Sequence, residues 1–244
     1  MRVNISLTTI LDNLNVLQPS LISLINQTQK ADRICLYISQ EPYLQDRGIS
    51  MDMIPDWLKN MPIEIHTVEN TGPYRKLLPL LEEVWDNDEV IITVDDDTFY
   101  HPDLVKNMVG AYIESGACIA CRCTYIGDPS ENEYEKLGKA KPLDLYNYHT
   151  GKGAVLYHPS MFKKEQPERG ILAKDYLHLS PTNDDHWFNL WRIYNRIPCK
   201  VLQFSYMTND LTNKQFALFH NYNERLNKDI FRKTADFVFS HRKN

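Results

Sequence analysis

The chain has 244 residues, 43% of them hydrophobic and 24% charged, and these proportions exclude a disordered chain, a collagen-like fibre and a coiled coil. Its 27 Lys and Arg residues against 32 Asp and Glu residues give a net charge of −5, which disfavours a broad nucleic-acid-binding surface because such a surface needs excess positive charge. No apolar run reaches the roughly 20 residues that span a bilayer, and the N-terminus lacks a secretory signal, so we expect a cytoplasmic protein.

The first half of the chain alternates apolar runs with amphipathic stretches. This pattern predicts strands at residues 3–7, 34–38, 63–68 and 90–94, with helices at 17–25 and 74–85. Strands that alternate with helices favour right-handed βαβ crossovers. We therefore predict an α/β protein of the Rossmann type, with a mostly parallel sheet flanked by helices and ligands bound beyond the carboxyl ends of the strands.

The second half is less regular. A polar stretch at residues 127–141 predicts a loop over the site, and apolar runs predict strands at 154–157 and 201–204, with a helix beginning near Asp184 between them. We expect a single domain over residues 1–244. It consists of a nucleotide-binding half at 1–123, an acceptor-side half at 124–222 and a C-terminal amphipathic helix at 223–244.

The five cysteines do not suggest a disulfide framework, because their number is odd in a chain of this size. Cys118, Cys121 and Cys123 have a spacing that would suit zinc. The apolar residues around them favour a buried strand instead, because no second Cys/His pair at zinc spacing accompanies them.

Three carboxylates, Asp95, Asp96 and Asp97, directly follow the apolar strand at residues 90–94. Adjacent carboxylates repel one another, and a hard cation among them relieves that repulsion. In extended backbone Asp95 and Asp97 point the same way, while Asp96 faces elsewhere. This spacing predicts a Mg²⁺ or Mn²⁺ site with a diphosphate partner; the alternative is that one Asp caps the helix expected near Pro102.

A second acidic pair, Asp184 and Asp185, precedes an amphipathic helical pattern that contains Trp187 and Trp191. Both carboxylates are therefore expected at a helix N-terminus, where negative charge is favoured. Helix capping by an Asp is the structural alternative to a catalytic role.

Taken in order, these motifs resemble the nucleotide-sugar-dependent glycosyltransferases of the GT-A fold, in particular bacterial enzymes of the family-2 type. The resemblance covers nearly the whole chain and rests on residues 72–77, the acidic triplet at 95–97 and residues 182–187. It implies that Asp95 lies near the donor ribose and the metal, and that Asp97 binds the metal. It also implies that Asp185 is the catalytic base and that Asp184 binds acceptor hydroxyls, although the reverse assignment stays open.

The resemblance also points to nucleotide contacts at the end of the first strand, where Thr8 and Thr9 are the candidates; ordinary strand residues are the alternative. Tyr74, Arg75 and Lys76 offer an aromatic face and two cations suited to a uracil ring and a diphosphate, unless they are solvated helix residues. Asp96 is also expected to contact the nucleotide.

Two later positions are less specific. Residues 149–153 contain two glycines that would let the backbone approach a sugar closely, although a plain turn is equally consistent. His220 matches the place of a late metal ligand in GT-A enzymes, and its apolar neighbours are also typical of a core histidine.

The expected function is metal-dependent transfer of a hexose, with inversion, from a nucleotide sugar such as a UDP-sugar to a glycan or a lipid-linked saccharide of the bacterial surface, such as lipopolysaccharide. The alternatives are a metal-dependent phosphohydrolase, which Phe99 argues against, and a carbohydrate-binding module suggested by 14 Tyr and 4 Trp residues. In the C-terminal tail, residues 223–244, Phe and Ile residues are interspersed with Lys and Arg residues. This pattern suits either peripheral contact with the inner membrane or a helix docked on the core.

Overall fold

The computed structural model describes residues 1–131, 137–162, 170–211 and 224–240. The strands in this part of the chain are β1 (Arg2–Thr8), β2 (Arg33–Ile38), β3 (Glu64–Thr67), β4 (Glu89–Thr93), β5 (Thr98–Tyr100), β6 (Cys118–Ala120), β7 (Cys123–Tyr125), β8 (Gly138–Lys139), β9 (Leu143–Asp144), β10 (Asn147–His149), β11 (Val155–Tyr157), β12 (Cys199–Val201) and β13 (Met207–Asp210). The helices are α1 (Leu14–Ile25), α2 (Asp56–Lys59), α3 (Leu78–Glu83), α4 (Leu104–Ser115), α5 (Tyr176–Leu179), α6 (Asp184–Tyr194) and α7 (Glu224–Ser240).

An eight-stranded sheet organises the molecule, in the order β3-β2-β1-β4-β11-β6-β12-β9. The pairs β3-β2, β2-β1, β1-β4 and β6-β12 are parallel, and β11 runs antiparallel to both β4 and β6. A small sheet pairs β10, β7 and β8, and a two-stranded ribbon pairs β5 with β13. The predicted α/β fold with a mostly parallel sheet flanked by helices is confirmed.

Both faces of the sheet are covered, which explains why β4 is apolar along its length. Ile91 packs with Leu81 and Trp187 on the face that α3, α6 and α7 cover. Val90 and Ile92 pack on the opposite face, together with residues of α1 and α4. Side chains alternate between the faces of a strand, so a strand with helices on both sides needs apolar residues at every position.

The predicted helix at residues 74–85 begins later than expected. A 3₁₀ helix at Gly72–Lys76 comes first, and α3 starts only at Leu78. Pro79 explains the break, because its ring would clash with the carbonyl of Arg75 in a continuous α-helix. The strand predicted at 201–204 is also displaced, since β12 ends at Val201 and the chain next pairs at β13, along β5.

The C-terminal helix α7 is docked on the core. Phe231, Val238 and Phe239 are buried, and α7 packs mainly against α6. These side chains are therefore not available for insertion into a lipid surface, which favours the docked alternative for the apolar residues of the tail. Within the described residues, no helix combines the length and apolar character required to cross a membrane.

Candidate active site

The acidic triplet at residues 95–97 directly follows β4, and successive side chains in it alternate between partly exposed and buried positions. Asp95 and Asp97 are partly exposed, whereas Asp96 is buried. The hydroxyl of Tyr100 accepts a hydrogen bond from the backbone N–H of Asp95 at 2.7 Å, which fixes the start of the loop. The main chain of Asp97 is held as well, because its carbonyl accepts from the N–H of Leu211 at 2.8 Å. Asp95 and Asp97 are thus the two partly exposed carboxylates of the triplet, and their joint binding of a metal stays a prediction.

Asp96 anchors the loop to α1 rather than facing a ligand. Its carboxylate accepts from the hydroxyl of Thr9 at 2.5 Å and from the side-chain amide of Asn13 at 3.1 Å, and its carbonyl accepts from Ser20 at 2.8 Å. Burial and the neighbouring charge of Asp97 raise the pKa of Asp96 to about 7, against the lowering effect of these hydrogen bonds.

The nucleotide contacts predicted for Thr9 and Asp96 gain no support from these positions, because the two side chains are buried and bonded to each other. The hydroxyl of Thr8 donates to the carbonyl of Tyr37 on β2 at 2.8 Å. The structure thus gives Thr8 a place in the sheet, which was the alternative interpretation.

Tyr74 and Arg75 also lie inside the protein. The ring of Tyr74 is fully buried and stacked on Tyr176, and its hydroxyl donates to the carbonyl of Ser180 at 2.6 Å. Arg75 is buried and pairs with Asp46 at 2.7 Å. The 3₁₀ turn directs both side chains into the core, so their positions give no support to the predicted contacts with a base and a diphosphate.

Lys76, the third residue of that set, joins the two acidic motifs. Its Nζ lies 3.0 Å from Asp184 Oδ2 and 3.7 Å from Asp95 Oδ1. Burial lowers the pKa of Lys76, but the charges of Asp184, Asp95 and Asp185 outweigh it and hold this pKa above its usual value. A permanent cation therefore lies between carboxylates that are separated by about 90 residues in the chain.

The capping alternative for the second acidic pair is excluded, because Asn183 is the residue that caps α6. Its side-chain oxygen accepts from the backbone N–H of His186 at 3.3 Å. Asp184 and Asp185 are left to point into the site: Asp184 pairs with Lys76, and Asp185 Oδ1 accepts from the N–H of Gly151 at 2.7 Å.

Gly151 lies against two side chains of the candidate site, so a larger residue there would displace them. A Cβ atom there would lie 2.5 Å from Lys76 Nζ and 3.2 Å from Asp185 Oδ1. Gly153, with φ of +113°, would place a Cβ atom 2.8 Å from the ring of Tyr206. The sequence indicated a close approach at these glycines, and the structure shows that side chains of the protein itself make it.

Asp185 is suited to accept a proton near neutral pH. Burial and the charge of Asp184 raise its pKa to about 7, while Lys76 and the N–H of Gly151 act in the opposite direction. A base is most effective when its pKa lies near the working pH. The helix N-terminus, which favours the ionised form, is thus outweighed by burial at this position.

The ligand atoms offered by the acidic triplet suit the divalent cation that the motif implies. Asp95 and Asp97 offer carboxylate oxygens, the ligand type that Mg²⁺ and Mn²⁺ prefer, on partly exposed side chains. Asp95 also faces Lys76, so a cation there would share this carboxylate with the ammonium group. His220, predicted as a late ligand, lies outside the described residues.

Comparison with known proteins gives the fold. No protein-family model and no curated sequence matches the chain. The structure of S. aureus TarS 1-349 superposes over 98% of this chain and 72% of its own, with a TM-score of 0.56 and 13% identity, and TarS has also been solved with UDP-GlcNAc.

Two further structures superpose over most of both chains. The 4-diphosphocytidyl-2C-methyl-D-erythritol synthase of Anaerococcus prevotii has a TM-score of 0.53 and 16% identity, covering 93% of this chain and 98% of its own. A CMP:2-keto-3-deoxy-manno-octonic acid synthetase complexed with CTP has a TM-score of 0.51 and 9% identity, covering 94% and 100%. The fold is therefore GT-A-like.

Proposed function

We propose that the protein is a glycosyltransferase that moves a hexose from a nucleotide sugar, such as a UDP-sugar, to a hydroxyl of a saccharide acceptor. The observation that carries this proposal is the meeting of two acidic motifs at one site, where Lys76 Nζ lies 3.7 Å from Asp95 and 3.0 Å from Asp184, and Asp185 accepts from the N–H of Gly151. A binding module has no need of a raised-pKa carboxylate beside a candidate metal site. The fold supports the donor class, since TarS binds UDP-GlcNAc.

In the proposed reaction, the two acidic motifs have different roles. Asp185, held by the N–H of Gly151, takes the proton of the acceptor hydroxyl as its oxygen attacks the anomeric carbon. The bond from that carbon to the diphosphate breaks, and its electron pair leaves with the nucleoside diphosphate. Lys76 adds positive charge beside Asp95. A divalent cation held by Asp95 and Asp97 would supply further charge stabilisation to the departing diphosphate.

A single base opposite the leaving group favours inversion at the anomeric carbon. Asp184 is committed to Lys76 through Oδ2 at 3.0 Å, which leaves Asp185 as the carboxylate that accepts the proton. We therefore assign Asp185 as the base and Asp184 as the group that binds acceptor hydroxyls.

The first test is the product released from the donor. We expect free nucleoside diphosphate from a UDP-sugar, in a reaction that Mn²⁺ or Mg²⁺ supports and a saccharide acceptor stimulates. Release of pyrophosphate from a nucleoside triphosphate would instead show nucleotidyl transfer, and acceptor-independent phosphate release would show a phosphohydrolase.

Asp97 should decide whether the donor binds in a metal-dependent way. We expect Asp97→Ala to abolish the part of UDP affinity that depends on Mn²⁺, because the change removes a carboxylate ligand. It should leave the fold intact, because it also removes a like charge beside Asp95 and Asp96. Titration calorimetry with and without Mn²⁺ measures this, and an unchanged affinity would contradict the assignment. Glu114→Ala, a change at an exposed carboxylate, is the control.

The pH profile should report Asp185. Only the ionised carboxylate accepts a proton, so kcat/KM should rise about tenfold per pH unit up to a pH of about 7 and then level off. The groups facing Asp185 are Asp184, Lys76 and Asp95. In Asp184→Asn the charge of one raising group is gone, so the midpoint should move to lower pH. A flat profile from pH 5 to 8 would exclude Asp185 as the base.

The proposal extends to the acceptor and to where in the cell the enzyme acts. We infer that a lipid-linked saccharide would bring the enzyme to an anionic membrane surface through the cations of the tail, because the apolar side chains of α7 are buried. Co-sedimentation with vesicles of anionic lipid at low salt, weakened by replacing Arg242 and Lys243, is the expected result. Absence of binding at low salt would leave a soluble acceptor.

A further inference from the structure

A second cluster of metal-ligating side chains lies on β2 and β3, outside the candidate active site. Cys35 is paired in register with Glu64, and Tyr37 with His66. Residues two apart on a strand share a face, so Cys35, Glu64 and His66 converge on one side of the sheet. We propose that these three side chains bind one zinc-type transition-metal ion at this edge of the sheet.

The distances suit one ion. His66 Nε2 lies 3.1 Å from Glu64 Oε2, Cys35 Sγ lies 3.9 Å from the same oxygen, and the three ligand atoms are all within 4.8 Å of one another. Zn²⁺ bonds of about 2.0–2.3 Å in a tetrahedron place ligand atoms about 3.3–3.8 Å apart. Small side-chain adjustments would therefore bring the three atoms onto one centre, with a fourth position left for water.

The neighbouring charges accommodate a divalent cation. Arg33 bridges Glu64 at 2.8 Å and Glu83 at 2.7 Å, so it keeps one carboxylate partner when Glu64 turns to an ion. With Cys35 as a thiolate, the negative charges of Cys35, Glu64 and Glu83 and the positive charge of Arg33 sum to −2. A divalent ion neutralises this charge. The imidazole of His66 is also preorganised, since it stacks on Tyr37 with ring centroids 5.1 Å apart.

The ligand set selects the class of ion. A thiolate with an imidazole and one carboxylate favours Zn²⁺ and its Co²⁺ substitute over Mg²⁺ and Mn²⁺, whereas Asp95 and Asp97 offer hard oxygens alone. Burial raises the pKa of the Cys35 thiol to about 12, so the ion must displace a proton, and binding should strengthen as pH rises. The two sites would thus take different metals.

Titration of the full chain with Co²⁺ tests the proposal, because a Co²⁺–thiolate bond gives near-ultraviolet charge-transfer absorption that an oxygen site cannot give. We expect one equivalent to saturate the band. Cys35→Ser should remove it, and His66→Ala should weaken Zn²⁺ binding at least about 100-fold in competition with Co²⁺. Zn²⁺ should also raise the thermal midpoint of the unaltered chain, but not of these variants.

The controls separate this site from the others. Cys123→Ser removes a thiol that lies 3.7 Å from Cys199, and Asp97→Ala removes an oxygen ligand of the candidate active site; both should keep the band. His66 is partly exposed, so His66→Ala remains informative if Cys35→Ser does not fold. Absence of the band, its loss in Cys123→Ser, or unchanged affinity in His66→Ala would overturn the proposal.

Discussion

Replacing Asp185 by asparagine is expected to remove nearly all glycosyl transfer while leaving donor binding in place. The amide oxygen of asparagine can still accept from the N–H of Gly151, which Asp185 Oδ1 does at 2.7 Å, so the site should keep its shape. The amide cannot accept the acceptor proton, and loss of general-base catalysis costs about 10²–10⁴ in kcat. Steady-state transfer kinetics, together with donor affinity by calorimetry, measure the two effects separately.

Asp184→Asn is the matched control for this change, because the two residues are neighbours at the start of α6. It should retain measurable transfer at neutral pH. A dead Asp184→Asn variant beside an active Asp185→Asn variant would reverse the assignment of the base, and two fully active variants would exclude carboxylate base catalysis at this position.

Lys76→Met is expected to produce the largest loss of stability. The ammonium group lies between Asp184 and Asp95, and the side chains of Lys76 and Asp184 are only 11% and 10% exposed. Removing one partner of a buried ion pair leaves uncompensated charge and typically costs about 3–5 kcal/mol. Denaturant unfolding at pH 7 should therefore show a loss of this size.

Lys174→Met provides the comparison, because Lys174 pairs with Glu69 on the surface and both side chains are more than 60% exposed. A pair of this kind contributes about 0–1 kcal/mol. Equal losses in the two variants would mean that Lys76 does not compensate the acidic site, and would also remove the argument that Asp95 and Asp184 belong to one centre.

Much of the fold was predictable because its signals are local. The apolar run at residues 90–94 needs a covered strand, and the alternation of strands with helices dictates the parallel part of the sheet. Elements whose partners lie far away in the chain were missed. The strand β5 exists because β13, about 100 residues later, pairs with it. Its three residues are too few to show a hydrophobic periodicity in the sequence.

For the candidate site, the sequence indicated which carboxylates to consider but not the contacts that they make. Asp95, Asp97, Asp184 and Asp185 stand out as charges at the ends of apolar elements. The directions of Tyr74, Arg75 and Lys76 depend on a 3₁₀ turn, which sends two of them into the core and one into the site. The Pro79 break was the available signal. Asn183 as the cap of α6 could also have been read from its position before two acidic residues.

Because α7 lies near the C-terminal end of the chain, its contacts with the start of α6 can form only late in synthesis. Asn183, which caps α6 beside Asp184 and Asp185, donates through its side-chain amide to the side chain of Asn227 on α7 at 2.8 Å. His186 contacts the carbonyl of Asn227 at 3.2 Å. While a ribosome still holds the residues of α7, the start of α6 lacks these partners. A nascent chain should therefore complete the packing around Asn183 and His186 at the start of α6 only after α7 emerges from the exit tunnel.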